Sequence, residues 1–250
     1  MPTQTSSELL SKKLAFLRQV PLLATLRESD LAALSQDLQL REYDKGEMIF
    51  RQGDPGYDLF IILRGKVRIF RMTPSGHETS ITIFGIGDII GELAVVDGRP
   101  RSASARAIGP CGLLQITAER FLARLSTLPE LALAVIRLLA AKTRWTAAYA
   151  EAVAQYDAAG RLLHLLLAFN DQFGEEVEKG KRYILDLGLN QADLASLIGV
   201  RREWINHLLR DWRKRGLLGY SAGKITILDR LRVEQERDSR IEANLREKDW

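Results

Sequence analysis

Two stretches of the sequence carry residue types that bind phosphate or nucleic acid, and the first lies in residues 91–103. Gly91 follows an apolar run that ends at Ile90, and Glu92 and Arg101 flank a segment long enough for one helical turn. Glycine permits close backbone approach, the free amides of a helix start favour an anion, and arginine clamps a phosphate with two hydrogen bonds. A glutamate beside them accepts hydrogen bonds from a hydroxyl. The stretch therefore predicts a site for a ribose phosphate.

A simpler interpretation of the same stretch is a structural ion pair, in which Glu92 and Arg101 brace a loop. The spacing of the two residues alone does not exclude this alternative. If Arg101 is a phosphate clamp, we expect it to be mostly exposed, so that its removal costs little stability.

The second stretch, residues 192–209, combines two apolar stripes with a polar outer face. Around a turn at Gly199, the stripes are formed by Leu194, Leu197, Ile198, Ile205, Leu208 and Leu209. The outer face is left to Arg201, Arg202, Glu203, Asn206 and His207, with Arg210, Arg213, Lys214 and Arg215 behind it. Arginine pairs with guanine, asparagine pairs with adenine, and glutamate accepts from cytosine in the major groove. The stretch therefore favours a DNA-recognition helix, with a solvated surface helix as the alternative.

The positive charge of the protein is concentrated around this second stretch. Residues 1–180 contain 21 Lys or Arg and 21 Asp or Glu, whereas residues 181–232 contain 11 and 5, and residues 233–250 contain 4 and 6. A compact basic segment favours a polyanionic partner, because lysine and arginine displace the counterions condensed on phosphates. The charge distribution therefore indicates double-stranded DNA as a partner.

The composition is typical of a water-soluble globular protein and excludes several kinds of site. Apolar residues make up 46% and charged residues 27% of the 250 residues. Cys111 is the only cysteine, which excludes an internal disulfide, a four-thiolate iron–sulfur cluster and a cysteine-only zinc site. His77 and His164 read better as a surface and a core residue than as haem ligands. We expect no metal, haem or iron–sulfur cluster.

The sequence also argues against catalysis, export and membrane insertion. It contains no nucleophile–base pair, metal-ligand cluster or P-loop, so we expect the protein not to be an enzyme. Its first residues lack the basic and then apolar run of a signal peptide, and no uncharged apolar run approaches ~18 residues. We expect a cytoplasmic protein.

Strand-like runs fill residues 38–117 and give way to helical patterns on both sides. Gly, Pro and Asp interrupt the runs at near-regular intervals, as is typical of a closed or nearly closed antiparallel β structure. Two short amphipathic helices are predicted upstream, the second capped by Ser29. Residues 129–156 contain no glycine and no internal proline, which predicts one long helix.

The long predicted helix has an apolar arc too wide for a single contact. One seam runs through Leu131, Val135, Leu138, Trp145, Tyr149, Ala152 and Tyr156. The other runs through Ala132, Ile136, Leu139, Thr143, Thr146, Ala150 and Val153. We expect one seam to pack on the β structure and the other on the same helix of a second copy, as a parallel coiled-coil homodimer. Packing into an intrachain bundle is the alternative.

These patterns predict an α+β protein that contains a β-roll (jelly roll), a long helix and a winged helix–turn–helix. The β-roll with its N-terminal helices covers residues 1–128, and the dimerisation helix covers residues 129–156. The DNA-binding domain covers residues 157–232, with a Gly-centred hairpin at 221–229 as the wing. Residues 233–250 are predicted to be a charged tail without an apolar face wide enough to dock.

From about residue 21 to residue 231, the sequence resembles the cyclic AMP receptor protein/FNR (CRP/FNR) family of bacterial transcription regulators. The matching motifs are residues 45–50, 52–54, 59–63, 65–67, 91–94, 100–103, 160–161, 198–200, 202–203 and 205. The resemblance implies a cyclic-nucleotide-binding β-roll, a long dimerisation helix and a winged helix–turn–helix. It implies a homodimeric regulator that binds a palindromic operator, activates transcription and has RNA polymerase as a further partner. A nucleotide-independent regulator of the same fold is the alternative.

The resemblance also assigns a ligand and the residues that bind it. The ligand is a cyclic nucleotide, with cyclic AMP as the first option and cyclic GMP as the second. The implied ligand-binding residues are Gly91, Glu92, Leu93, Ala94, Arg101, Ser102, Ala103 and Thr146. Among these, Glu92 meets the ribose 2′-hydroxyl, Arg101 and Ser102 meet the cyclic phosphate, and Thr146 meets the base. Ala147 stands where the best-known member has a serine that reaches the base, so selectivity for adenine stays open.

The resemblance selects the dimer seam and the DNA-reading residues as well. The implied dimer interface contains Ile136, Leu139, Thr143, Thr146, Ala150 and Val153. The implied DNA-binding residues are Arg201, Arg202, Glu203, Trp204, Asn206 and His207. Trp204 replaces a usual threonine or serine, and His207 replaces a usual second arginine. A neutral imidazole lacks the donor fork that arginine offers to guanine, so the base preference at that position should relax or change.

Overall fold

The computed structural model of the protein describes residues 4–74 and 76–241. By its internal contacts the chain divides into two compact units. The first contains residues up to 75 together with residues 82–144, and the second contains residues 76–81 together with the chain from residue 145 onward.

Two four-stranded sheets form the centre of the first unit. Their strands are β1 (Gln39–Tyr43), β2 (Met48–Phe50), β3 (Asp58–Arg64), β4 (Val67–Met72), β5 (Glu78–Phe84), β6 (Ile89–Ile90), β7 (Ser104–Ala107) and β8 (Cys111–Thr117). Of β5, residues 82–84 belong to this unit and residues 78–81 to the second. The strand orders are β1-β8-β3-β6 and β2-β7-β4-β5. Strand β3 pairs antiparallel with β8 and β6, and β7 pairs antiparallel with β2 and β4. The predicted antiparallel β-roll is therefore confirmed, with the short β6 as a strand that the sequence pattern missed.

Strand β3 explains how one continuous apolar run serves two cores. Successive side chains of a strand point to opposite faces of its sheet. Phe60 and Ile62 belong to a core that contains residues of both sheets, whereas Leu59 and Ile61 belong to a second core on the other face. Because both faces are covered, β3 is apolar at consecutive positions rather than at alternate ones.

Helices cover this second core. They are α1 (Gln4–Leu17), α2 (Glu28–Asp37), α3 (Glu92–Asp97), α4 (Ala118–Thr127) and α5 (Pro129–Gln155). Helix α4 was not predicted from the sequence. The cap prediction for α2 was wrong, because its N-cap residue is Arg27, with no side-chain cap, and Ser29 lies inside the first turn.

The N-terminal part of α5 packs on this core through one of the two predicted seams. Leu131 and Val135 are fully or almost fully buried there. Ile136, from the other seam, is 61% exposed. The wide apolar arc of α5 is thus covered on one side by the β-roll of its own chain, as predicted, and leaves an apolar side chain in solvent on the other.

The second unit contains a helix–turn–helix and a small sheet, flanked by two further helices, the first and the last of the elements that follow α5. Its elements after α5 are α6 (Ala158–Phe173), β9 (Glu175–Glu178), β10 (Arg182–Asp186), α7 (Gln191–Ile198), α8 (Arg202–Lys214), β11 (Leu218–Ser221), β12 (Lys224–Ile227) and α9 (Arg230–Asp238). The four strands form an antiparallel sheet in the order β11-β12-β10-β9. The predicted wing is its β11–β12 hairpin, and the β9–β10 hairpin was not predicted.

Helix α9 corrects one expectation about the C-terminal residues. Residues after 232 were expected to lack a docking face, yet Val233 is fully buried and α9 packs against α6. Ion pairs accompany this packing, that of Arg230 in α9 with Asp171 in α6 and, just after α9, that of Arg240 with Asp157. Residues 242–250 of the predicted tail lie outside the described part of the chain.

Among the described residues, no helix is both long and apolar enough to cross a bilayer.

Candidate functional site

The predicted phosphate site begins at Gly91, between strand β6 and helix α3. Gly91 has a φ of 81°, a left-handed conformation that favours glycine. A β-carbon at this position would lie 2.5 Å from Nη1 of Arg101. Glycine therefore serves two purposes here, the turn into α3 and the close approach of the Arg101 side chain.

The guanidinium of Arg101 is buried and held from one side by acceptors of its own chain. Nη1 donates to the carbonyl oxygen of Gly91 at 2.7 Å. Nη2 donates to the Asp58 backbone oxygen at 2.7 Å and to Asp58 Oδ1 at 2.6 Å. The guanidinium also lies 4.3 Å from the ring centroid of Phe50, a cation–π distance. These contacts fix the orientation of the side chain without a ligand.

One donor of Arg101 has no acceptor. Its Nε is buried and makes no hydrogen bond, although the whole residue is only 4% exposed. A buried donor without a partner costs free energy comparable to a lost hydrogen bond, and such groups are rare in folded proteins. The Nε of Arg101 is therefore a donor that a bound anion can satisfy.

The burial of Arg101 contradicts the expectation of a mostly exposed clamp. Burial lowers the pKa of its guanidinium below the ordinary arginine value, while the neighbouring carboxylates of Asp58, Glu92 and Asp54 oppose that shift. The side chain enters the interior because Gly91 leaves room for it and Asp58 compensates its charge. Neither contact can be inferred from the spacing of these residues in the sequence.

Glu92 is likewise buried, and its partner is a residue that the sequence reasoning missed. Lys142 of α5 places Nζ 2.7 Å from Glu92 Oε1 and 2.9 Å from the carbonyl oxygen of Ile89. The same Nζ lies 4.7 Å from the ring centroid of Phe84. The alternative of a Glu92–Arg101 pair is wrong in its partners, because Arg101 pairs with Asp58. A signal for Lys142 existed, since it lies one helical turn before Thr146 on α5.

The other predicted ligand residues differ in their burial. Ala94 is buried, and its β-carbon would lie 2.3 Å from a β-carbon added at Gly56, so α3 packs directly on the loop before β3. Leu93 and Ser102 are exposed, and Ala103 is buried just before β7. Thr146 is exposed on α5 in the second unit, and its role stays a prediction.

The second candidate site is built by α7, a glycine turn and α8. Asn190 caps α7 with a complete capping box, in which Asp193 returns the bond. Gly199 ends α7 in the left-handed conformation, with a φ of 71°. Helix α8 then buries the apolar side chains of Ile205, Leu208, Leu209 and Trp212. This arrangement confirms the predicted helix–turn–helix.

The outer face of α8 presents the predicted DNA-reading residues to solvent. The exposed members of the set are Arg201, Arg202, Glu203, Trp204 and His207, while Asn206 is half-buried. Trp204 is 38% exposed, an unusual position for an indole among charges. In the basic run that follows, Arg210, Arg213 and Lys214 are exposed, but Arg215 is engaged by Glu236 and Asp211.

The wing is tied to the start of α7. The hydroxyl of Tyr220 on β11 donates to the carbonyl oxygen of Leu189 at 3.0 Å. The turn of the hairpin requires positive φ at Ala222 and Gly223, with values of 49° and 81°. Glycine adopts positive φ without steric cost, whereas Ala222 adopts it despite its β-carbon.

The described residues contain no group of three or more His, Cys, Asp or Glu side chains that could hold a metal ion. Cys111 is buried, its Sγ donates to the carbonyl oxygen of Lys66, and burial raises the pKa of the thiol.

Known proteins resemble this chain along most of its length. The family model of the cyclic nucleotide-binding domain matches residues 40–127, and that of the Crp-like helix-turn-helix domain matches residues 160–236. The chain is 32% identical over 205 residues to a "CRP-like cAMP-activated global transcriptional regulator" of Mycobacterium tuberculosis, which covers 82% of this chain and 91% of that protein. It is 28% identical over 215 residues to a "Cyclic AMP receptor protein" of Thermus thermophilus, covering 86% and 95%.

A solved structure supports the same architecture. FixK2 from Bradyrhizobium japonicum matches with a TM-score of 0.70 and 18% identity, over 79% of this chain and 96% of that one. At this identity the likeness concerns the fold.

Proposed function

The chain belongs to the CRP/FNR family of transcription regulators, and from that premise we propose that it is a homodimer whose operator affinity depends on a cyclic nucleotide bound in its β-roll. Membership makes the chain a DNA-binding regulator with a cyclic nucleotide-binding domain. The identity of the effector, the dimer and the response of DNA binding to the effector are our proposal. RNA polymerase as a partner stays a prediction of the resemblance.

The observation that carries the proposal is the unpartnered Nε of Arg101. This donor is buried in the segment that the sequence assigns to a phosphate, and each of the two terminal nitrogens of the guanidinium already donates to at least one acceptor. A phosphate oxygen is a strong acceptor for an arginine donor in a site of low dielectric. A bound cyclic phosphate would therefore satisfy a group that the protein alone leaves unsatisfied.

Glu92 supplies the second half of the proposed ligand site. Its carboxylate is 4% exposed, and Oε1 accepts from Lys142, so we assign the second oxygen as the acceptor for a ribose hydroxyl. A phosphate donor and a hydroxyl acceptor on one short segment fit a ribose phosphate and would fit an isolated phosphate less well. Lys142 also connects this segment to α5, the helix that continues into the second unit.

Cyclic AMP is the first option for the effector. The names of two relatives, "CRP-like cAMP-activated global transcriptional regulator" and "Cyclic AMP receptor protein", support it. Thr146 has a hydroxyl that we assign to a contact with the base, whereas Ala147 offers no hydroxyl. Cyclic GMP is therefore the second option.

A response of DNA binding to the nucleotide requires that the ligand favour one arrangement of the dimer over another. Two contacts support α5 as the connecting element. In the first unit Lys142 of α5 pairs with Glu92. In the second unit the Tyr149 hydroxyl of α5 donates to the carbonyl oxygen of Leu197 at 3.0 Å, at the end of α7. A shift of α5 would therefore disturb both the ion pair with Glu92 and the hydrogen bond to Leu197.

The second candidate function is a nucleotide-independent regulator. It is favoured by the internal partners of Arg101 and Glu92, since Asp58 and Lys142 already compensate both charges. In this version the segment braces the β-roll and no ligand enters.

Calorimetric titration of the purified protein with cyclic AMP and cyclic GMP separates the two candidates. We expect saturable binding of one nucleotide per protomer. We also expect tighter binding to an operator, obtained by selection from random duplex DNA, when the bound nucleotide is present. Absence of heat with both nucleotides, together with unchanged operator affinity, would instead support the nucleotide-independent regulator.

The proposed dimer uses the exposed seam of α5. Ile136 and Val153 on this seam are 61% and 40% exposed, and Thr143, Thr146 and Ala150 are exposed as well. Leu139 is only half-buried by the core of its own unit. An apolar stripe of this kind on a long helix is stabilised by a second copy.

Sedimentation of an Ile136→Asp variant tests this face. The variant places two like charges in an apolar seam, so we expect a monomer at concentrations where the parent is a dimer. Ile86→Asp is a matched control, since Ile86 is also an exposed isoleucine, at 67%, but lies in a loop of the β-roll. A dimeric Ile136→Asp variant would move the interface to another surface.

A further inference from the structure

Asp58 contacts the predicted phosphate clamp although no motif in the sequence pointed to it. It is the first residue of β3 and pairs in register with Thr117 of β8. Its Oδ1 accepts from Arg101 Nη2 at 2.6 Å, and its Oδ2 accepts from the side-chain amide of Gln115. Both carboxylate oxygens are therefore held, and the carboxylate stands in a fixed position against the guanidinium.

The charges of the two ion pairs at the site balance. Arg101 is paired with Asp58, and Lys142 is paired with Glu92. The two pairs together carry two positive and two negative charges, and Asp54 adds a further carboxylate near Arg101, so the site offers an arginine donor without a surplus of positive charge. A site built to attract highly charged phosphates gathers several uncompensated cations instead.

We propose that Asp58 is a specificity-determining residue, which makes the site favour a singly charged phosphodiester over a doubly charged phosphomonoester. The inference rests on the proposed function, because it concerns the ligand of the same site. It adds a residue and a rule of charge: Asp58 lets Arg101 bind a cyclic phosphate while it penalises the additional charge of a 5′-monophosphate.

The physical basis is the difference in charge between the two phosphate types. A phosphodiester carries one negative charge, whereas a phosphomonoester carries about −1.5 to −2 at pH 7. Beside a fixed carboxylate the additional charge meets repulsion, and because the Asp58 side chain is only 24% exposed, this repulsion is less screened than at the surface. Without the carboxylate, the same arginine would bind the doubly charged phosphate more tightly than the singly charged one.

Binding of cyclic AMP and of 5′-AMP to the parent and to Asp58→Asn tests the inference. Asparagine keeps an acceptor for Arg101 and removes the charge. We expect the ratio of the two dissociation constants, 5′-AMP over cyclic AMP, to fall about tenfold in Asp58→Asn. Asp97→Asn is the control, since it removes one carboxylate charge from the exposed end of α3, and we expect it to leave the ratio unchanged within about twofold.

The outcomes separate this inference from the proposed function. A parent protein that binds no nucleotide overturns both. A parent that binds cyclic AMP, with a ratio that stays constant or rises in Asp58→Asn, overturns the role of Asp58 and leaves the function standing. An equal fall in Asp97→Asn would assign the effect to net charge and would also overturn it.

A second measurement needs no variant and covers the case in which Asp58→Asn does not fold. Adenosine 5′-(methyl phosphate) has the nucleoside and linkage of 5′-AMP but only one negative charge. Competition against cyclic AMP on the parent protein should show tighter binding of the methyl ester than of 5′-AMP. Equal or weaker binding of the methyl ester would overturn the inference.

Discussion

In the β-roll, the guanidinium of Arg101 is buried and held by Asp58, whereas the guanidinium groups of Arg201 and Arg202 on the helix–turn–helix lie in solvent. The first arginine keeps its buried Nε without a hydrogen-bond partner. The other two belong to an exposed face followed by further cations. The same chain thus contains one arginine whose orientation is fixed by buried partners and a group of exposed arginines that can contact an extended polyanion.

The difference predicts how each region responds to mutation and to salt. A buried cation that is paired with a carboxylate contributes to folding as well as to binding, because its removal leaves the partner uncompensated. An exposed cation contributes to binding alone, and salt screens its contribution. Changes in the β-roll should therefore affect stability and ligand affinity together, and changes on α8 should affect DNA affinity only.

The largest expected effect belongs to Arg101→Ala. We expect nucleotide affinity to fall about 100-fold or more, because a charged donor set is lost. Unfolding free energy should fall by about 1–3 kcal/mol, because the partly buried Asp58 loses its partner. Calorimetric titration and thermal unfolding measure the two quantities. Arg99→Ala, an exposed arginine of the same loop, should change stability by no more than about 0.5 kcal/mol. Full stability in Arg101→Ala would contradict the comparison.

Arg202→Ala should have the next largest effect, confined to DNA. A side chain that reads a base edge contributes about 1–3 kcal/mol of discrimination. We expect operator affinity to fall about 10- to 100-fold, with little change in binding to random DNA and in unfolding free energy. Fluorescence anisotropy with both duplexes measures this difference. An equal loss on both duplexes would make Arg202 a phosphate contact.

How far the sequence predicted these two regions follows from the range of the contacts involved. The helix–turn–helix was predicted closely, since its turn glycine and its apolar stripes are local signals around Gly199. The strands of the β-roll were predicted for the same reason, through turn residues and apolar runs. Only the two-residue β6 escaped, because it is too short to show a period.

The partners within the ligand site could not be predicted, because they are distant in sequence. Asp58 and Arg101 are separated by 43 positions, and Glu92 and Lys142 by 50. Periodicity finds neither pair, and a resemblance supplies only the residues that its motifs contain. The burial of Arg101 depends on Gly91 and Asp58 together, which is a property of the packed β-roll.

A smaller effect is expected for Arg213→Ala, at the exposed end of α8. Loss of one phosphate contact should weaken binding to operator and random DNA alike, by a few fold. The slope of log affinity against log salt should become shallower by about 0.9. Nucleotide binding should show a much weaker salt dependence in the same buffers. A loss on the operator alone would mean that Arg213 reads sequence.

The smallest expected effect concerns Arg240, an arginine of the second unit whose side chain is paired with carboxylates of its own chain. It contacts Asp157, the N-cap of α6, at 3.0 Å and Glu236 of α9 at 2.8 Å. Its β-carbon lies 2.8 Å from where a β-carbon at Gly160 would stand, so the start of α6 accepts it only because residue 160 is glycine. Because all three charges are partly exposed, we expect Arg240→Ala to lower unfolding free energy by only about 0.5–1 kcal/mol.

The dependence of this effect on pH gives it a sign that can be checked. Hydrogen bonds from Arg215 and then from Arg240 hold the pKa of Glu236 below its ordinary value. A carboxylate whose pKa is lower in the folded state adds stability above its unfolded pKa, ~4.3, and loses it as the pH falls through the folded pKa. The difference between parent and Arg240→Ala should therefore be larger at pH 7 than at pH 3 in denaturant titrations. Arg213→Ala, which lacks such a partner set in the described contacts, should show no difference at either pH, and a constant difference for Arg240→Ala would mean that its packing, rather than its charge, stabilises the start of α6.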